Sequence, residues 1–281
     1  DVAQNLEGTI IERELGRAIM PWFHAAFSGG TVLGALVGAG LTWLRVPLGL
    51  HLGTVVVLGL AAVFWGTAQF LPAFDDGPAA GDAAVAPARS AWTEPRTLLI
   101  GLVVLAAAFA EGTANDWMAV AFVEGHHVDK ALGVVALAVF LSFMTAGRIL
   151  GTHVLDRYGR VPVLRILFVA AVVGCLLVVF GDPWLAFVGT AIWGVGASLG
   201  FPVGMSAAAD DPARAPLRLS VVTTIGYGAF LAGPPLLGFL GDHFGVLNAL
   251  LVVGLISLIA ILVVPVAKPL PAAEPEPVTG P

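Results

Sequence analysis

Apolar and polar positions divide this chain into long blocks. Eight apolar runs of 18 or more residues fall at about 19–44, 47–72, 97–123, 131–151, 163–181, 183–207, 217–241 and 246–267. A helix rises 1.5 Å per residue, so about 20 apolar residues cover a hydrocarbon core of about 30 Å. Each run predicts a membrane-crossing helix. Residues 1–12 read as the end of a further helix. Most connections are short. The exception is 73–96, AFDDGPAAGDAAVAPARSAWTEPR, whose Pro, Ala, Gly and Asp cannot bury enough apolar surface to fold and predict a linker. The tail 269–281 predicts disorder for the same reason.

Composition supports the membrane reading. Of 281 residues, 58% are apolar and 11% charged, against about 25% charged in an ordinary soluble domain. Mean hydropathy is +0.94. The fold class expected is an all-α integral membrane bundle. Arginine placement sets an orientation through the positive-inside rule. Arg13, Arg17, Arg89, Arg96, Arg148, Arg157, Arg160, Arg165, Arg214, Arg218 and Lys268 fall on one side of the alternating spans. Only Arg45 and Lys130 fall on the other. Eleven against two predicts that the first side, with the C-terminus, is cytoplasmic. The net charge of −6 comes without a basic tract, which argues against a nucleic-acid partner. A single cysteine, Cys175 in an apolar run, excludes an intrachain disulfide and a cysteine-based zinc site.

Candidate chemistry begins with FAEGTANDW, residues 109–117. Glu111 lies near the midpoint of its span, and Asp116 about 7.5 Å further along. An acid at the bilayer centre costs roughly 2.5–3.5 kcal/mol, so these groups must face other helices or a water-filled cavity. About 140° separates the two carboxylates around the helix. Asn115 lies one turn above Glu111 on the same face, within hydrogen-bonding reach. Low dielectric favours a neutral Glu111 with a raised pKa. Such a carboxyl serves as a proton-coupling site, or equally as a partner for hydroxyls or a cation on a solute. A structural polar clamp between helices is the plainer reading.

A second feature is GRILGTHVLDRYGRVPVLR, residues 147–165. Asp156, Arg157, Gly159 and Arg160 form a tight turn of opposite charges at the cytoplasmic end of its span, where Asp156, Arg157 and Arg160 are expected to latch a cytoplasmic gate, with Arg148 close enough along the chain to pair Asp156. His24 sits a few residues into the first full span and reads as a gate or interfacial residue. His126 and His127 lie in an outer loop with no ligand set around them, so no metal site is expected, and no cofactor. In the seventh span, Gly226, Gly228 and Gly233-Pro234-Pro235 predict a break or kink, which places Tyr227, Thr223 and Thr224 as cavity liners. GASLG, residues 196–200, matches G-x-S-x-G but lies in an apolar helix without a histidine partner, so it carries no catalytic reading. No nucleophile–base or metal constellation argues for an enzyme.

The 147–165 loop resembles the signature loop of the major facilitator superfamily, G-x-x-x-D-R-x-G-R, with Thr152 where the first glycine is usual and Gly151 one place early. GFLGDHFG, residues 238–245, carries a second trace. DVAQN at the start, HAAFSGG from His24, EGTANDW and GYGAFLAGPPLLG from Gly226 together look like a bacterial branch of that family similar to fucose/proton symporters. The resemblance implies twelve helices in two halves with alternating access. Residues 1–72 then become the remainder of the N-terminal half, 73–96 the central linker and 97–268 the C-terminal six-helix half. It makes Asp1 and Asn5 site candidates. It implies a secondary transporter of a small polar solute, sugar-like or drug-like, coupled to protons and monomeric in a bacterial inner membrane. A non-transporting sensor or scaffold of the same fold is the rival.

Overall fold

The computed structural model describes residues 2–44, 46–69 and 91–270. Among these residues the secondary structure is helical throughout. The chain forms two compact units, Asp1–Ala26 with Arg89–Pro281, and Phe27–Ala88. Among the described residues, seven stretches are long and apolar enough to cross a membrane: Gly49–Thr67, Pro95–Gly125, Lys130–Tyr158, Arg160–Phe180, Pro183–Ala208, Ala215–Phe244 and Val246–Ala267.

The unit 27–88 holds most of α2 (Met20–Trp43) and all of α3 (Leu48–Thr67). Val55, Val57, Leu58, Phe64 and Trp65 of α3 are exposed. An apolar helix exposed around its circumference is stable only with lipid or other helices as its solvent.

The larger unit is built around α4 (Pro95–Val120), which continues into a π turn, Ala121–Gly125. α5 (Lys130–Tyr158), α6 (Arg160–Phe180), α7 (Pro183–Ala197), α8 (Gly200–Ala208), α9 (Ala215–Phe244), the short α10 (Val246–Ala249) and α11 (Leu251–Val263) follow. α4 packs on α5, α8, α9 and α11, and α6 packs between α7 and α11. The buried residues of α4 include Ile100, Val103, Val104, Ala107, Ala114 and Met118. Small side chains alternate with branched ones, which lets neighbouring helices approach closely in lipid. α1 (Val2–Leu15) rests against α8 and α9.

Several boundaries differ from the apolar pattern. α4 begins at Pro95, inside the stretch read as linker; residues 73–90 of that linker lie outside the described residues, as do 70–72 of the span before it and 271–281 of the tail. The expected span 183–207 is interrupted at Ser198-Leu199. Pro202 explains this: without an amide hydrogen it cannot donate to the Ser198 carbonyl four residues back. α9, where a break was expected, runs continuously over 30 residues with Pro234 and Pro235 inside it. The carbonyls of Phe230 and Leu231 lose their usual helical donors there, but the helix is held on both sides, by Phe109 against Gly233 and Trp117 against Gly238. α5 extends to Tyr158, about two turns past the apolar run, because Gly159 ends it with φ 79°, a conformation that favours glycine.

Candidate functional site

Arg148 organises the centre of the larger unit. It is 1% exposed, on α5, and its three guanidinium nitrogens take three partners from three other elements. Nη2 pairs with Glu111 Oε2 of α4 at 2.7 Å. Nε donates to the Ser198 carbonyl at 3.1 Å, and Nη1 to the His24 carbonyl of α2 at 3.4 Å. The Ser198 carbonyl is the one that Pro202 cannot satisfy, so the arginine supplies the donor that the helix lacks. Gly147 makes the approach possible: a Cβ there would lie 2.7 Å from Ser198 Oγ.

This corrects the pairing expected from sequence. Asp156 lies eight residues, about 12 Å, along the same helix, beyond the reach of one guanidinium. Burying a charge is tolerable only when it is paired and hydrogen-bonded, and Glu111 is the carboxylate that reaches Arg148. Asn115, placed one turn above Glu111, is exposed, and Glu111 hydrogen-bonds Arg148 instead of that amide. Among the described residues, Glu111 Oε1 has no hydrogen-bond partner, and the side chain keeps 14% of its surface open. Asp116 is exposed one residue beyond Asn115.

His24 continues the site toward α8 and α9. Its ring lies 5.4 Å from that of Phe201, and a Cβ on Gly226 would meet Phe201 at 3.4 Å. Next along α9 is Tyr227, 45% exposed, with its ring 6.3 Å from Phe230. Asn5 is buried in α1. Asp1 lies outside the described residues. The structure therefore joins Glu111, Arg148 and His24 directly, sets Asn115 on the Glu111 face, and leaves Tyr227 on a neighbouring helix.

The turn residues take separate partners at the arginine-rich end of the unit. Asp156 Oδ1 accepts the Ala18 N–H at 3.0 Å, just ahead of α2. Arg160 pairs with Asp210 at 2.6 Å, and Arg157 lies 5.3 Å over the Tyr158 ring. Gly159 caps α5 and leads into α6.

Sequence reasoning missed the acids that complete this end. Glu12 Oε2 accepts from Ser206 Oγ at 2.9 Å and from the Met20 N–H at 3.3 Å. Glu12 and Asp156 thus place two carboxylates at the start of α2, where helix amides and the dipole favour negative charge. Asp210 binds Arg96 at 2.7 Å as well as Arg160. Glu94 lies between Arg214 and Arg218 and accepts from Thr97 at 2.9 Å. Burial pushes the Glu94 carboxyl up, but the Arg218 and Thr97 hydrogen bonds and the charges of Arg218 and Arg214 outweigh it and hold the group below its ordinary range. These arginines read from sequence only as topology signals; the acids DD at 210–211 beside them were the available clue. His126, expected in a solvated loop, bonds the Val178 carbonyl through Nε2 at 2.8 Å and ties the π turn to α6.

Comparison with known proteins supplies the family. Residues 117–280 match the model of the Major Facilitator Superfamily. An uncharacterised MFS-type transporter of Yersinia pestis is 31% identical over 245 residues, covering 86% of this chain and 62% of that protein. The chain thus spans less than two thirds of that relative. An uncharacterised transporter of Sinorhizobium fredii is 32% identical over 279 residues, covering 95% of this chain and 70% of its own length. Among solved structures, the fucose:proton symporter FucP in its outward conformation superposes with a TM-score of 0.78 at 14% identity, over 95% of this chain and 72% of FucP. A second FucP structure, of a single-residue variant of the Escherichia coli protein, gives 0.64 at 15% identity, over 76% of this chain and 54% of that one. At that identity the likeness is one of fold. With the helical bundle, the Asp156–Arg160 turn and these matches in agreement, the chain belongs to the Major Facilitator Superfamily.

Proposed function

We propose that this chain is part of a secondary active transporter that moves a small polar solute by alternating access, coupled to protons. The observation that carries the reading is the Glu111–Arg148 pair, 2.7 Å apart and at membrane depth, beside exposed Asn115 and Asp116. A charged pair in the middle of a span is costly, and in membrane proteins such residues face solute and ion paths. Glu111, open on one oxygen, is the group that gains and loses a proton. Asp116, Asn115 and Tyr227 contact or orient the solute, and Asp1, Asn5 and His24 border it. The fucose:proton symporter likeness supports this assignment.

In this reading the described helices are eight complete spans plus the end of a ninth, equivalent to helices four to twelve of the family. Residues 73–96 are the linker between halves, and the arginine-rich end faces the cytoplasm of a bacterium. Asp156 and Glu12 latch that end by holding the start of α2. Opening requires both hydrogen bonds to the Ala18 and Met20 amides to break. The protein works as a monomer in the bilayer.

Proton flux driven by fucose and other hexoses tests the assignment, measured in proteoliposomes of the complete protein and normalised to folded material. Glu111→Gln is expected to abolish accumulation against a gradient and to flatten its pH dependence. Unchanged transport across pH removes Glu111 from the scheme.

A further inference from the structure

We propose that the solute path along α4 selects solutes bearing hydrogen-bond donors or positive charge and turns anions away, because its one deep arginine is already committed to the protein. The inference rests on the transport reading above and names the solute class for that site.

Arg148 is the cation that lies deep in a span; the other lysines and arginines of the described spans lie within about two turns of a helix end. A free guanidinium at that depth would be a strong receptor for a carboxylate or phosphate solute. This one is not free. Nε, Nη1 and Nη2 are taken by Ser198, His24 and Glu111, and 1% of the residue is exposed. Two of those partners are backbone carbonyls, and the Ser198 carbonyl has no helical donor because residue 202 is proline.

What remains open is an acceptor surface. Glu111 Oε1 has no partner among the described residues. Asn115 follows on the same face, and Asp116 is exposed beside it. Glu111 and Arg148 cancel in charge, so Asp116 leaves the surface net negative. An ammonium or a row of hydroxyls meets carboxylate oxygens here. An anion meets no open cation among the described residues and an uncompensated negative charge. Clefts lined by one sign of charge raise the local concentration of the opposite sign by about 10–10³.

The buried Cys175 permits a direct test. It is the single cysteine of these 281 residues and 0% exposed, and the complete protein without the added cysteine is reacted in parallel so that any background rate is subtracted. Asn115→Cys in the complete protein, in lipid nanodiscs, is reacted with trimethylammonium-ethyl and with sulfonatoethyl methanethiosulfonate. Each rate is divided by that for a free thiol in solution. The normalised cation-to-anion ratio is expected to be about tenfold or more. Adding Asp116→Asn, an exposed substitution, should bring it toward one. Adding Glu111→Gln to Asn115→Cys instead, which takes one negative charge from the same surface, should likewise bring it toward one. A ratio at or below one in Asn115→Cys itself overturns the selectivity while leaving the transport reading intact. No reaction with either reagent overturns both, because a thiol beside an aqueous solute path must react.

Discussion

Removing the Glu111 charge is the sharpest perturbation of this structure. Glu111→Gln keeps the shape but takes the 2.7 Å carboxylate partner from a guanidinium that is 2% exposed. Breaking a buried pair from one side costs about 3–5 kcal/mol, because the remaining charge loses its counter-charge at contact distance. Arg148→Met strands Glu111, but that carboxylate keeps 14% of its surface for water and protons. It also orphans the Ser198 carbonyl, which adds about 1–3 kcal/mol. In Glu111→Gln/Arg148→Met neither member of the pair is left without the other but the Ser198 carbonyl stays orphaned, so the double variant should fall short of the sum of the singles by a coupling of roughly 2–3 kcal/mol. At about 2–4 °C per kcal/mol for a chain of this size, Glu111→Gln lowers the apparent Tm by roughly 6–20 °C, and the double variant by clearly less than the sum of the singles. The assay is thermal unfolding of the complete protein in detergent at one scan rate, since membrane-protein unfolding is read as a rate. Additive singles, or a Glu111→Gln shift under about 1 °C, would refute the idea that this pair is a buried, mutually dependent unit.

Two further outcomes follow from the arginine-rich end. Folding holds the Glu94 carboxyl below its ordinary value of 4.5, so its stabilisation is complete above that value and is lost as pH falls through the depressed one. The apparent Tm of the complete protein should therefore decline on acidification below about pH 4.5, and Glu94→Gln should remove that part of the decline; identical acid profiles would refute it. The Glu12–Ser206 hydrogen bond has a charged acceptor and should contribute about 1.5–3 kcal/mol. Glu12→Ala and Ser206→Ala should then be non-additive in thermal stability, and full additivity would show that the two residues act independently.

The membrane class and the helices themselves were legible in the chain because hydrocarbon imposes a one-dimensional rule. About 20 apolar residues in a row have few stable fates besides spanning, and no distant contact is needed to see them. The same rule made Glu111, Asn115 and Asp116 visible, since polar groups at depth are costly wherever they sit. The Asp156–Arg160 turn was legible for a local reason, as Gly159 ends one helix and begins the next in a conformation that favours glycine.

Partners were not legible, because pairing depends on which helix faces lie together. Arg148 read as one positive charge among eleven, close in sequence to Asp156. Its carboxylate partner stands 37 residues away on α4, and its carbonyl partners 50 and 124 residues away. Glu12 carried no signal until Ser206, 194 residues later, was brought beside it. The prolines show the same division. Pro202 and Pro234-Pro235 look alike in sequence, but α7–α8 breaks where Arg148 satisfies the freed carbonyl, and α9 stays intact where flanking aromatics hold it. Sequence determined where backbone donors are missing and where charge is expensive; tertiary packing decided what compensates each one, because the compensation is a contact between segments far apart in the chain.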